Sequence, residues 1–200
     1  MRKSILGISF CVLFVSIIFS QLNCTKPQEE KTISKETSVE RGKYLVNLGG
    51  CNDCHSPKVM TAMGPVPDTT RLLSGAPGPI TSTDFNPKIV AQGQWIVSRG
   101  DLTAWIGPWG ISYTANLTPD KETGLGNWTV DRFIKALRTG KHLGEGRPIL
   151  PPMPWESFAQ LKEQDLKDIF AYLQSLKPIN NKVPDPGTPD DFAKLMMKKK

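Results

Sequence analysis

Histidine is scarce in this 200-residue chain. His55 and His142 are the only two, so acid–base and ligand roles that need imidazole are confined to them. Cysteine is sparse too, at Cys11, Cys24, Cys51 and Cys54. No internal repeat is evident, and long apolar runs are missing after residue 19. A basic stripe of the kind that tracks nucleic acid is also absent, and the chain reads as having no nucleic-acid partner. With 38% hydrophobic and 22% charged residues the composition is globular rather than disordered.

The one long apolar run, Ser4 to Phe19, follows the basic Met1-Arg2-Lys3. It reads as the h-region of a signal peptide over residues 1–23, slightly short for a committed membrane span. Cys24 follows in Ser20-Gln21-Leu22-Asn23-Cys24, an imperfect lipobox, and is the expected lipidation site. Removal of residues 1–23 deletes Arg2 and Lys3 and no acid, taking the formal charge from +6 to +4. Residues 24–36 are polar, charge-balanced and without apolar periodicity. They read as a flexible tether with a span of roughly 20 Å, placing the protein on the periplasmic face of a bacterial membrane.

The most informative stretch is Cys51-Asn52-Asp53-Cys54-His55. C-x-x-C-H is the attachment signature of c-type haem. Two thiols three positions apart add to the two vinyl groups on one porphyrin edge, and the next residue offers an imidazole to the iron. Competing readings fit less well. A closed zinc site needs four ligands, and only Cys11, Cys24 and His142 remain to complete one. A thioredoxin-like pair would follow a strand, whereas a helical pattern precedes Cys51. A structural disulfide would not need the histidine. The expected cofactor is one covalent haem c on Cys51, Cys54 and His55.

A capping box at Thr37-Ser38-Val39-Glu40 starts a helix that ends at Gly49-Gly50. Gly42 inside it costs helix propensity, which a close helix crossing would explain. Residues 56–128 are rich in Gly and Pro and admit no long helix. A short hairpin is expected from Gln94-Trp95-Ile96-Val97 and Leu102-Thr103-Ala104-Trp105. Haem, as an apolar disc, would supply core to so long a loop, with Trp95, Trp105, Trp109 and Tyr113 packing around it or beneath the loop. Val130, Phe133, Ile134 and Leu137 mark a second helix from Thr129 to Gly140. Leu166, Ile169, Phe170 and Leu173 mark a last one, ended by Lys177-Pro178. The domain is taken as 37–178 and the stretch 179–200 as a C-terminal tail, a linker draping over it.

The sixth iron ligand would decide the chemistry: a second strong ligand makes a six-coordinate carrier, an open position permits gas or peroxide chemistry. Met60 and Met63 lie within eight residues of His55, Met196 and Met197 near the end of the chain, and His142 in a Gly-rich turn. Met153 stands between Pro152 and Pro154, where a methionine is equally well a core filler.

The order of helix, C-x-x-C-H, proline-flanked Met and final helix resembles a class I cytochrome c over residues 38–178. Leu72-Leu73-Ser74-Gly75, Tyr113-Thr114-Ala115-Asn116-Leu117-Thr118-Pro119-Asp120 and Gly124-Leu125-Gly126-Asn127-Trp128-Thr129 are similar to segments of cytochrome subunits of membrane dehydrogenases. Two departures stand out: a single C-x-x-C-H where many such relatives carry several, and Lys162 in place of a Ser or Asp cap on the last helix. The resemblance implies a mainly α fold, its first and last helices crossing at Gly42 and Tyr172, with a long Gly/Pro-rich loop insertion. It also implies Met153 as the second axial ligand and an electron carrier, not an enzyme, that exchanges electrons with a dehydrogenase or oxidase component. The alternatives are a gas-binding haem sensor with an open distal position and a small haem peroxidase.

Overall fold

The computed structural model describes residues 37–81, 88–91 and 93–197. The apolar N-terminal run, Cys24, the tether to residue 36 and Lys198-Lys199-Lys200 lie outside the described residues. No helix among the described residues is long and apolar enough to cross a membrane.

Helix α1 (Ser38–Leu48) begins with the expected capping box. The Thr37 hydroxyl accepts the Glu40 N–H at 3.2 Å and the Glu40 carboxylate accepts the Thr37 N–H at 3.0 Å, satisfying two donors that the first turn would otherwise leave unpaired. After Gly49 and Gly50 the chain turns directly into the short helix α2 (Cys51–His55), so the C-x-x-C-H motif is itself helical. Two antiparallel strands follow, β1 (Lys58–Thr61) and β2 (Gly64–Pro67), and then a single helical turn, α3 (Lys88–Ala91). A second antiparallel sheet has the order β3 (Val97–Ser98), β4 (Ala104–Gly107), β5 (Gly110–Tyr113). Helix α4 (Val130–Thr139), one turn α5 (Trp155–Phe158), α6 (Glu163–Ser175) and α7 (Pro189–Met197) complete the architecture, which is mostly helical with two small antiparallel sheets.

The frame is the contact of α1 with α6. Val46 from α1 and Leu166, Ile169 and Leu173 from α6 share the main core with Leu73, Leu125, Phe133 and Leu137. Gly42 sits where the backbones nearly touch. A Cβ there would lie 2.6 Å from the Asp168 carbonyl carbon, 2.8 Å from the Tyr172 Cβ and closer still to the Asp168 carbonyl oxygen. Its absence permits the crossing, which is the reason for a glycine in mid-helix. Arg41 bridges the same two helices, 2.6 Å from Asp165 and 3.5 Å from the buried carboxylate of Asp168. Lys162 precedes α6 without a side-chain cap, and Glu163 and Asp165 place negative charge in the first turn, where the helix dipole favours it.

Three expectations need revision. The hairpin expected from 94–97 and 102–105 is displaced. Only Val97–Ser98 pairs with β4, and β4 pairs in turn with β5 through the tight Pro108-Trp109 connection. The alternation of apolar residues is offset by one short stretch, and Trp95 is left 65% exposed rather than packed. Trp105, Trp109 and Tyr113 are half-buried in or beside the β3–β5 sheet. The stretch from 179 on is more than a linker. Gly187 exchanges backbone hydrogen bonds with Ile111 at 2.8 and 2.9 Å, and Phe192 of α7 completes a second core cluster with Val90, Ile106 and Ile111. Phe192, Leu195 and Met196 lie at helical spacing, a signal obscured by the preceding prolines. The hairpin β1–β2, absent from the sequence reading, pairs residues on either side of Ala62-Met63 and buries little.

Candidate functional site

Cys51 and Cys54 are both free, half-buried thiols three positions apart in α2, the spacing at which side chains share one face of a helix. Burial pushes the Cys51 thiol up to about 11 and the Cys54 thiol upward as well, so both are protonated at neutral pH. Lys58 closes the helix. Its ammonium donates to the carbonyls of Asn52, Asp53 and Ser56 at 3.1, 2.9 and 2.6 Å, placing positive charge at the C-terminal end, where the helix dipole favours it.

His55 is buried at the end of α2, with Nδ1 2.8 Å from the carbonyl oxygen of Ala115. A carbonyl only accepts, so Nδ1 carries the proton and Nε2 keeps its lone pair. Burial lowers the His55 pKa from its ordinary value; the Ala115 bond opposes this and the Lys58 charge adds to it. The result at neutral pH is a neutral imidazole with one nitrogen tied and the other free to donate electrons, as metal ligation requires.

The acceptor carbonyl is held by two loops. Gly75 N–H donates to the His55 carbonyl at 2.7 Å, Ala76 N–H to the Thr114 carbonyl at 2.9 Å, and Leu117 N–H to the Leu73 carbonyl at 2.8 Å. Gly75 has φ +80°. A Cβ there would lie 2.6 to 2.7 Å from the backbone of Thr114, Ala115 and Asn116, so a side chain would drive the acceptor loop away. The Ser56 hydroxyl accepts the Leu73 N–H at 2.8 Å and donates to Asn52 at 2.8 Å, linking this loop to α2. Backbone bonds between the segments Leu72–Gly75 and Tyr113–Asp120 and their neighbours thus help hold the carbonyl that His55 reaches. Sequence reasoning picks out both segments but neither role, because a backbone acceptor has no residue signature. Glycine at 75 is the available clue.

Met153 is half-buried against the main core, the same cluster on which Cys51 packs. Its N–H donates to Leu150 at 3.3 Å, and its carbonyl accepts from Trp155 at 2.9 Å. The Ser112 hydroxyl donates to the Pro151 carbonyl at 2.6 Å. Strand β5 therefore secures the Met153 segment at Ser112 and leads, three residues on, to the acceptor of His55. The other candidates are placed differently. Met60 and Met63 are 74% and 94% exposed on the β1–β2 hairpin, and Met196 packs on the second core. His142 is exposed, edge-on to Trp128 with ring centroids 5.4 Å apart. Among the described residues no group of three or more His, Cys, Asp or Glu side chains converges to hold a metal ion.

No protein-family model matches the chain. It is 31% identical over 157 residues to an alcohol dehydrogenase (quinone) cytochrome c subunit of Gluconobacter oxydans, covering 77% of this chain and 25% of that protein. Similarity to a fructose dehydrogenase cytochrome subunit of Gluconobacter japonicus is 29% identity over 157 residues, 78% of this chain and 25% of the relative. A diheme cytochrome c-type protein of Cereibacter sphaeroides is 29% identical over 140 residues, 70% of this chain and 36% of its own length. The chain thus spans about a quarter of the length of the dehydrogenase subunits it matches. The alignments cover most of this chain, whose free Cys51 and Cys54 stand one helical turn apart beside a buried His55 with Nδ1 engaged. By these alignments the chain is similar to cytochrome c subunits of dehydrogenases and to a diheme cytochrome c-type protein.

Proposed function

We propose that this protein is a monohaem electron carrier of class I cytochrome c type that accepts electrons from a dehydrogenase and passes them to a further redox protein. The observation that carries the reading is the tied imidazole of His55, buried and neutral, in the same short helix as two free thiols. These residues fit a c-type haem: thiols on one face of α2 for thioether formation, Nε2 of His55 for iron, and an apolar cluster touched by both Cys51 and Met153. Cys51 and Cys54 would hold the porphyrin through thioethers, and His55 and Met153 would offer the iron an imidazole nitrogen and a thioether sulfur. Bound haem supplies a one-electron couple, and thioether ligation favours its reduced state relative to a second imidazole.

The chain's own part is to bind, orient and desolvate. The Ala115 carbonyl fixes the His55 tautomer, Ser112 steadies the Met153 segment, and the core around Leu73, Leu125 and Phe133 excludes water. No proton moves and no substrate bond is made on these side chains. Export through residues 1–23 and lipidation at Cys24 would keep the domain at a membrane surface on its tether. A mature charge of +4 would favour a partner with an acidic patch, with association slowed by salt.

Acid–acetone extraction of the purified holoprotein tests attachment, and a pyridine haemochrome assay gives the stoichiometry. Haem retained on the polypeptide at one per chain is the expected result. Haem released by extraction would overturn the proposal. Rapid oxidation of the reduced protein by membranes of its source, without carbon monoxide binding, is expected of a carrier. Tight carbon monoxide binding with no electron exchange would make it a sensor.

A further inference from the structure

We infer that Asn181 is a positioning residue for His55: the strap formed by residues 179–187 holds the loops that present the Ala115 carbonyl. The inference rests on the reading of His55 as the iron ligand. Asn181 uses both hydrogens of its side-chain amide, donating to the Ser74 carbonyl at 2.7 Å and the Ala76 carbonyl at 3.0 Å. These two carbonyls flank Gly75, whose own N–H bonds the His55 carbonyl and whose bare Cα lies against Thr114, Ala115 and Asn116.

The strap grips the acceptor loop from the other side as well. The buried Asn116 side chain donates to the Ile179 carbonyl at 2.8 Å, Ile179 N–H donates to the Thr118 hydroxyl at 3.1 Å, and Asn181 N–H donates to the Thr123 hydroxyl at 3.0 Å. Ala115 is thus bracketed by Thr114, bonded to Ala76, and Asn116, bonded to Ile179. Both brackets lead back to the strap, and the carbonyl between them is the one that His55 Nδ1–H reaches.

The strength of that bond matters because an imidazole N–H donating to an oxygen makes the ring a more basic ligand. A more basic ligand stabilises the oxidised iron. Loosening the Asn181 clamp lets Ser74–Ala76 and the acceptor loop move, weakens the bond and raises the midpoint potential. By sequence alone residues 179–200 read as a tail. The structure gives this part of it a stake in the redox couple.

The test compares the holoprotein with Asn181→Ala, with Asn181→Asp and with Asn180→Ala. The Asn181→Asp variant keeps the size and removes both donors. The Asn180→Ala control breaks only the surface bond from Asn180 to Glu122 on the same strap. The readouts are solvent exchange of the His55 ring proton, followed by proton NMR in the reduced state, and the midpoint potential. Loss of about one hydrogen bond's worth of local stability corresponds to exchange faster by roughly tenfold. The expected result is that faster exchange and an upward potential shift in both Asn181 variants, with Asn180→Ala matching the wild type. Should Asn181→Ala fail to fold, Asn181→Asp gives the same readout. Covalent haem with wild-type exchange and potential in the Asn181 variants overturns this inference alone. A wild-type protein that releases its haem on extraction overturns the haem reading beneath it.

Discussion

Replacing Gly42 by alanine sets two known effects of opposite sign against each other. Alanine in an exposed helix interior is favoured over glycine by about 1 kcal/mol. Here, however, the new methyl would lie 2.6 Å from the Asp168 carbonyl carbon and 2.8 Å from the Tyr172 Cβ. Carbon atoms pack at about 3.5–4.0 Å, so α1 and α6 would have to separate by about 1 Å. Neither contacted group can rotate away, since one is backbone and the other is fixed to it. The separation would also loosen Val46 from Leu166 and Ile169 and draw Arg41 away from Asp165. Overpacking of this kind costs about 3 kcal/mol at the upper end of its usual range, leaving a net loss of about 2 kcal/mol. For a domain of this size that is a fall in Tm of about 4–8 °C. Urea and thermal unfolding of the holoprotein, followed by far-ultraviolet circular dichroism and by haem absorbance, measure it. A Gly42→Ala protein as stable as the wild type, or more so, would refute the claim that the crossing at Gly42 is what the glycine serves.

Met153→Ala should open the iron to carbon monoxide, seen as a new difference spectrum of the reduced protein, and lower the midpoint potential. An unchanged spectrum and potential would move the sixth ligand elsewhere. Asp68 is held well below its ordinary value of 3.8, at about 2, by hydrogen bonds from the Thr70 hydroxyl, the Arg71 guanidinium and the Thr70 N–H. Its folded-state pKa is depressed, so its stabilisation is fully present above pH 3.8 and is lost as pH falls through about 2. Urea midpoints of wild type and Asp68→Asn should therefore differ at pH 7 and converge toward pH 2; a gap independent of pH would refute this assignment. Cys24→Ala should shift the protein from the membrane to the soluble fraction, measured by fractionation and mass spectrometry of the mature N-terminus. Retention of the variant on the membrane would exclude lipidation at Cys24 as its anchor.

Local features were legible in the chain. The capping box at Thr37 and Glu40 and the ends of α4 at Thr129 and Gly140 depend on residues close together in the chain, and such short-range rules are read directly from it. The helical run into Cys51-Asn52-Asp53-Cys54-His55 was legible for the same reason, and Gly42 stood out by the propensity cost that a close crossing would explain. Contacts that join distant residues through backbone appear only in the folded chain. No residue type announces that the Ala115 carbonyl will meet His55, 60 positions earlier, or that Asn181 will reach across more than 100 positions to Ser74 and Ala76. The β3–β5 register was lost to short strands whose partners are set by the second core rather than by alternation. Helix α7 was masked by prolines at 184, 186 and 189, although its apolar face has a partner in Ile106 and Ile111. A carbonyl acceptor and a core contact belong to pairs of segments, and only the folded chain brings the pairs together.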